Sequence, residues 1–136
     1  MRIEDLRNIL KDYGLKVTPQ RLAVYQALCD LGHPYADDIV KYVRKENPSI
    51  SVATIYNTLD HFREKNLLFK LETCLDKMRY DCGMHQHYHI CDPEKDKIID
   101  YDDPELNHLL KNYFNNKKMD YVDIKEIRLT IIGNLI

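Results

Sequence analysis

The sequence predicts an α+β fold in two parts: helices closed by a strand hairpin over residues 1–78, then a small α/β unit over residues 79–136. Three observations carry this. Apolar residues recur at helical spacing as far as residue 65, punctuated by cap and proline signals. From residue 67 the apolar residues come instead in short β-branched and aromatic runs. A single later helical period, at 105–115, lies among those runs.

Residues 4–13 form a first helix with Leu6, Ile9, Leu10 and Tyr13 on one face, ended by Gly14. Thr18-Pro19 then gives a hydroxyl N-cap followed by proline at the first helical position. That helix carries Leu22, Val24, Tyr25, Ala27, Leu28 and Leu31 and stops at Gly32. His33-Pro34 is extended because proline restricts the residue before it. A helix over 35–46 follows, with Ile39, Tyr42 and Val43 inward and Asn47-Pro48 as its stop. Ser51 caps a helix over 52–65 whose buried stripe is Val52, Ile55, Leu59 and Phe62. Its other face is small and polar: Ala53, Thr54, Asn57, Thr58, Asp60, His61 and Arg63. Strands at 67–73 and 78–82 make a hairpin, and helices followed by a hairpin are the plan of a winged helix. In the second part, strands at 85–91 and 97–101 flank a turn at 93–95. A helix at 105–115 turns Leu106, Leu109, Leu110 and Tyr113 inward, and strands at 121–125 and 127–132 close the chain. The boundary near 76–83 has no Gly/Ser linker, so the parts are expected to be coupled.

At 136 residues and 44% hydrophobic content the chain can bury a real core. Two parts this small gain from dimerisation. No apolar run reaches membrane-span length and the N-terminus lacks a signal-peptide core, so a cytoplasmic protein is expected. Four cysteines, Cys29, Cys74, Cys82 and Cys91, are scattered without a CxxC pair. The net charge of −2 does not announce a nucleic-acid binder. Residues 1–75 hold 11 basic against 10 acidic side chains, and residues 76–136 hold 9 against 12. Any contact with phosphate must come from a local cluster, while the acidic second half suits divalent cations.

The helix over 52–65 exposes small, amide and hydroxyl side chains that can approach base edges. Thr54, Tyr56, Asn57 and Arg63 are the candidates, with Lys16 and Arg21 placed to meet phosphates. A solvated face on another small α+β protein explains the same pattern. The stronger signal is Met84-His85-Gln86-His87-Tyr88-His89-Ile90-Cys91. On a strand, His85, His87 and His89 share one face, and a metal relieves their mutual repulsion by binding them neutral. A hairpin turning between residues 94 and 95 sets His89 opposite Asp100. Asp81 approaches from the preceding strand, and His33 comes from far away in sequence. His with carboxylate suits Mn²⁺, Fe²⁺ or Zn²⁺. An exposed strand decorated with histidines is the alternative, and His61 and His108 are read that way.

Taken together, several segments resemble the ferric-uptake-regulator (Fur) family, above all its peroxide-sensing PerR-type branch. They are Gly14-Leu15-Lys16-Val17-Thr18-Pro19-Gln20-Arg21, His33-Pro34-Tyr35-Ala36-Asp37-Asp38-Ile39 and Ser51-Val52-Ala53-Thr54-Ile55-Tyr56-Asn57-Thr58-Leu59, then Arg79-Tyr80-Asp81, His87-Tyr88-His89-Ile90-Cys91 and Ile98-Ile99-Asp100. The likeness runs in order along nearly the whole chain. It implies a winged-helix DNA-binding domain followed by a dimerisation domain, and a homodimer that grips a palindromic double-stranded operator when metal-loaded. It implies a regulatory site of His33, Asp81, His87, His89 and Asp100, with Tyr56 and Asn57 in the major groove and Lys16 near the backbone or minor groove. Asp at position 100, where iron-sensing relatives commonly carry Glu, is similar to the peroxide branch. There, Fe²⁺ reacts with hydrogen peroxide and a ligand histidine, here His33 or His87, is oxidised; Mn²⁺ supports repression without that reactivity. The sensing is sacrificial, so no enzymatic turnover is expected.

The departures are specific. The two CxxC motifs that hold structural Zn²⁺ in most relatives are reduced to Cys91 and nothing at the C-terminal end, so no Cys₄ zinc site is expected. Dimer stability must then come from Ile124, Ile127, Leu129, Ile131 and Ile132, or from another metal. His85 is an additional histidine, a candidate for the regulatory site or for a second site with Asp102, Asp103 or Glu105. Cys74, Cys82 and Cys91 are candidate thiol sensors, though buried lone thiols are usually inert. Competing readings are an iron, manganese or zinc homeostasis regulator without peroxide sensing, a His/Asp metalloenzyme, and a metal-independent DNA-binding protein.

Overall fold

In the computed structural model, which describes residues 2–71, 78–82 and 88–136, the chain divides into two units, residues 1–84 and 85–136. The first holds α1 (Ile3–Asp12), α2 (Pro19–Leu31), α3 (Ala36–Glu46), α4 (Val52–Glu64), β1 (Phe69–Leu71) and β2 (Arg79–Asp81). The cap signals act as read: Thr18 Oγ1 accepts the Arg21 N–H at 3.2 Å and Ser51 Oγ accepts the Thr54 N–H at 3.1 Å. The Asp38 carboxylate accepts the Tyr35 N–H at 3.0 Å and opens α3. Gly32 ends α2 at φ +80, a left-handed conformation open to glycine at little cost.

Leu6, Leu10, Val24, Tyr25, Leu28, Ile39, Val43, Ile55, Leu59 and Phe62 form one continuous core. Each is worth about 1.5–3 kcal/mol of apolar burial. The Tyr25 and Phe62 rings meet edge to face at 6.0 Å and 89°. Four residues expected to face inward do not. Tyr13, Leu31, Tyr42 and Val52 are all exposed, because they sit at the ends or margins of their helices, where the stripe runs out. Tyr42 instead donates its hydroxyl to Asp30 at 2.6 Å. Thr58, expected outside, is nearly buried; its hydroxyl donates to the Thr54 carbonyl at 2.8 Å and so needs no solvent. β1 and β2 pair antiparallel, Phe69 with Asp81 and Leu71 with Arg79. The expected first strand began at 67, but Leu67 and Leu68 are core residues. Its end at 72–73 and the turn at 75–77 lie outside the described residues.

The second unit holds β3 (Tyr88–Asp92), β4 (Lys97–Tyr101), α5 (Pro104–Asn116) and β5 (Thr130–Ile132), with sheet order β4-β3-β5. β3 and β4 are antiparallel and β5 runs parallel to β3. Asp103 Oδ1 caps α5 by accepting the Leu106 N–H at 3.0 Å. The start of the first expected strand, 85–87, lies outside the described residues. The strand expected at 121–125 is absent, and that expected at 127–132 shortens to Thr130–Ile132. β-branched composition makes a strand only where a sheet edge accepts it, and the free edge of β3 pairs with these three residues alone. α5 has no buried residue; Leu109 and Tyr113 are exposed rather than inward.

Asp92 closes this unit. It is 1% exposed. One carboxylate oxygen accepts the N–H groups of Glu94 and Lys95 at 3.0 and 3.2 Å, and the other accepts that of Leu135 at 2.8 Å. Gly133 N–H adds a bond to the Cys91 carbonyl at 3.0 Å. The C-terminal tail is thereby fastened to the β3–β4 turn. These donors, Leu135 first, hold the Asp92 carboxyl below the usual carboxylate range.

Candidate metal centre and nucleic-acid interface

The β3–β4 register places His89 directly opposite Asp100, as a turn between residues 94 and 95 requires. His89 Nε2 lies 3.5 Å from Asp100 Oδ1. The imidazole is nearly buried and the carboxylate about half exposed. Two donors, each about 2.1 Å from one divalent ion, stand about 3.0–3.4 Å apart at right-angled to tetrahedral geometry. The observed separation therefore fits cis ligands after a small adjustment. An imidazole nitrogen beside a carboxylate oxygen is a donor set for Fe²⁺, Mn²⁺ or Zn²⁺.

In the first unit, His33 occupies the connection between α2 and α3 and is partly buried. Its carbonyl accepts Arg79 Nη1 at 2.6 Å, and the Arg79 guanidinium lies 4.1 Å above the Tyr35 ring. The Tyr80 N–H donates to the Pro34 carbonyl at 2.9 Å, and Tyr35 bridges to Arg79. The His33 loop is thus laced to β2. Asp81, nearly buried, ends that strand two residues beyond Arg79. His33 also lines an open groove of about 380 Å³ with Asp38, Lys41, Lys45 and Arg79, so solvent reaches it. His85 and His87 lie outside the described residues. Of the carboxylates suggested for a second site, Asp103 is committed elsewhere. It caps α5 and accepts the Tyr101 hydroxyl at 2.6 Å, which together lower its pKa.

On α4, Thr54, Tyr56, Asn57 and Arg63 are all exposed. The Thr54 hydroxyl lies 2.8 Å from Ser51 Oγ and so belongs partly to the helix cap. The Tyr56 hydroxyl donates to Asp37 at 3.3 Å. Desolvation and that carboxylate raise its pKa above the usual phenol value. Lys16 is exposed, and its carbonyl accepts Arg21 Nη1 at 2.8 Å. Arg21 therefore braces the entry to α2.

Sequence reasoning passed over the role of Arg79 as a brace for the His33 loop. The available signal was weak: Arg79 and Asp81 alternate on one strand and so share a face. It also passed over Asp92, which reads as a turn aspartate until its bond to a residue at the far end of the chain is seen.

Residues 12–131 match the ferric uptake regulator family. The peroxide-responsive repressor PerR of Staphylococcus aureus (strain USA300) is 38% identical over 125 residues, spanning 91% of this chain and 82% of that protein. Among solved structures, the ferric uptake regulator of Pseudomonas aeruginosa with manganese superimposes with a TM-score of 0.79 at 20% identity, covering 95% of this chain and 96% of that one. The Campylobacter jejuni peroxide stress regulator gives 0.74 at 23% identity, covering 100% and 97%. At these identities the structural likeness is one of fold.

Proposed function

The chain belongs to the ferric uptake regulator family, and from that premise we propose that it is a metal-dependent DNA-binding repressor that senses peroxide through an Fe²⁺ or Mn²⁺ site. The observation that carries this reading is the His89–Asp100 pair, with its imidazole and carboxylate donors at metal-ligand separation. His33 and Asp81 from the first unit, with His87, His89 and Asp100 from the second, are the proposed ligands. An ion drawing donors from both units couples metal occupancy to the DNA-binding geometry as a free energy shared between two sites. Fe²⁺, when held by these residues, would supply reactivity toward hydrogen peroxide, with His33 or His87 as the imidazole exposed to oxidation. Mn²⁺ supports repression without it, and Zn²⁺ can take its place. The residues of the chain do the rest. Arg79 holds the His33 loop to β2, and the sheet register holds His89 against Asp100.

The proposed reading head is α4, with Tyr56 and Asn57 at base edges, Thr54 and Arg63 beside them, and Lys16 and Arg21 on phosphates. A palindromic duplex bound by a homodimer matches two copies of that helix. The exposed apolar residues Leu109, Tyr113, Ile131 and Ile132 of the second unit supply a surface for the partner copy. No helix among the described residues is long and apolar enough to cross a membrane, and we place the protein in the cytoplasm. Family membership is that of transcriptional regulators, not of enzymes.

The test uses purified full-length protein and a duplex selected from a randomised pool in the presence of Mn²⁺. His89→Ala and Asp100→Ala should abolish metal-dependent binding while sedimentation still shows a dimer. Undiminished binding in chelator would overturn the switch. After Fe²⁺ and hydrogen peroxide, peptide mass spectrometry should find added oxygen on His33 or His87. Oxidation confined to methionine and cysteine would favour a metal-homeostasis regulator instead.

A further inference from the structure

Two acidic side chains open α3, and they serve different partners. Asp38 turns back on its own helix and accepts the Tyr35 N–H at 3.0 Å. Asp37 reaches across to α4 and accepts the Tyr56 hydroxyl at 3.3 Å. A negative charge is favourable in the first turn of a helix wherever it points, so the dipole of α3 does not account for this second contact. Both ends of it rest on fixed elements. Ile39 and Val43 seat α3 in the core, Ile55 and Leu59 seat α4, and Ser51 caps the start of α4. Tyr56 itself is 38% exposed and stands beside exposed Asn57. The bond to Asp37 confines a side chain that would otherwise sample its rotamers on an open face, which lowers the ordering cost of a later contact. It also sets a polarity. An ionised carboxylate only accepts, so the phenol is the donor. Its hydrogen is committed to Asp37, and toward any further partner its oxygen is an acceptor.

We propose that Asp37 is a positioning residue for base reading: it holds Tyr56 so that the phenolic oxygen accepts a hydrogen bond from a base amino group, adenine N6 or cytosine N4, in the major groove. The proposal rests on the reading of α4 as the DNA-contacting helix and adds the chemistry that Tyr56 selects. On the major-groove edge, adenine and cytosine present amino donors, whereas guanine offers O6 and N7 and thymine offers O4, all acceptors. An oxygen whose hydrogen is already committed meets those acceptors lone pair to lone pair. The selection is therefore for adenine or cytosine over guanine or thymine on the contacted strand. Asp37 has an opposing effect as well. It sets a negative charge near phosphates, which weakens binding to any duplex regardless of sequence. A positioning role and a purely structural role thus differ in sign: removing the carboxylate should lower base preference while leaving binding to random DNA as tight or tighter.

The experiment selects duplexes from a randomised pool with Mn²⁺-loaded full-length protein and with Asp37→Ala, Asp37→Glu, Tyr56→Phe and the Asp37→Ala/Tyr56→Phe double variant, each checked by thermal melting. The unaltered chain should enrich adenine or cytosine on one strand at one position of each half-site. Asp37→Ala and Tyr56→Phe should each reduce that preference roughly three- to tenfold, the worth of one hydrogen bond. The double variant should lose no more than either alone, as for residues acting in one contact. Asp37→Glu keeps an acceptor and should recover part of the preference. In the DNA-free protein, the Tyr56 ring carbon resonance should titrate at lower pH in Asp37→Ala, because the carboxylate that raises the phenol pKa is gone. An unchanged preference in Asp37→Ala would overturn the proposal. So would a preference lost together with random-duplex affinity and melting temperature, which marks a structural role. A preference that survives Tyr56→Phe but not Asp37→Ala would overturn it too, since Asp37 would then read the base itself. If the unaltered chain enriches no sequence at all, the reading of α4 falls and the proposal falls with it.

Discussion

Replacing Arg79 with alanine should weaken metal binding without unfolding the first unit. The guanidinium holds the loop that carries His33 through a 2.6 Å bond to the His33 carbonyl and a stack 4.1 Å above Tyr35. A hydrogen bond from a charged donor contributes about 1.5–3 kcal/mol, and a partly exposed cation–π contact about 0.5–1 kcal/mol. Their loss comes to about 2–4 kcal/mol of loop order. The Tyr80–Pro34 backbone bond and the core beneath remain, so the loop loosens but stays attached. If His33 ligates the ion, part of the lost order must be restored on binding. Each 1.4 kcal/mol is tenfold, so Mn²⁺ affinity should fall roughly 10- to 100-fold, the range seen when groups that orient ligands are removed. Arg79→Lys keeps the charge but not the planar stack or fork and should fall between. Competition of Mn²⁺ against a chelating dye measures the affinity, and a melt in chelator measures the metal-free stability. A lower melting temperature with unchanged Mn²⁺ affinity would refute the link from Arg79 to His33 and leave the arginine a purely structural brace.

Two further outcomes concern other residues. Because the folded-state pKa of Asp92 is depressed, its contribution to stability is present above the unfolded carboxyl pKa and is lost as pH falls through the folded value. Asp92→Asn should therefore flatten the acid limb of a melting-temperature profile and speed amide exchange at Leu135; an unaltered limb with unaltered exchange would show that the tail is held by other bonds. Asn57→Ala should cost about 1–3 kcal/mol of binding to a selected duplex if its base contact is bidentate, and less on random DNA; equal loss on both would deny it a reading role.

What the sequence disclosed, it disclosed through local rules. Thr18 and Ser51 cap their helices because a hydroxyl before a helical run has N–H groups waiting for it. The His89–Asp100 register was legible because alternation and a turn at 93–95 leave an antiparallel hairpin little freedom. The failures involve long-range competition. Residues 121–125 have the composition of a strand, but of this C-terminal stretch only residues 130–132 pair with β3. Leu109 and Tyr113 have helical spacing yet are exposed among the described residues. Arg79 and Asp92 look like surface charges. Their roles rest on partners 46 and 43 residues away, a relation that neither spacing nor composition encodes.

The two units differ in how much core they own, and this difference bears on where a metal signal acts. The first has a continuous core drawn from all four helices. In the second, Tyr88 and Cys91 are the buried apolar side chains among the described residues, while Leu109, Tyr113, Ile131 and Ile132 face outward. A unit that leaves so much apolar surface open gains its stability from whatever binds the folded form, by mass action. In the proposed assembly that is a second copy and a divalent ion, which must act on the same small sheet, since His89 and Asp100 occupy β3 and β4. Metal binding then stabilises the part of the molecule with least stability of its own. Losing a single imidazole ligand to oxidation acts on that same part and leaves the helical core of the first unit untouched.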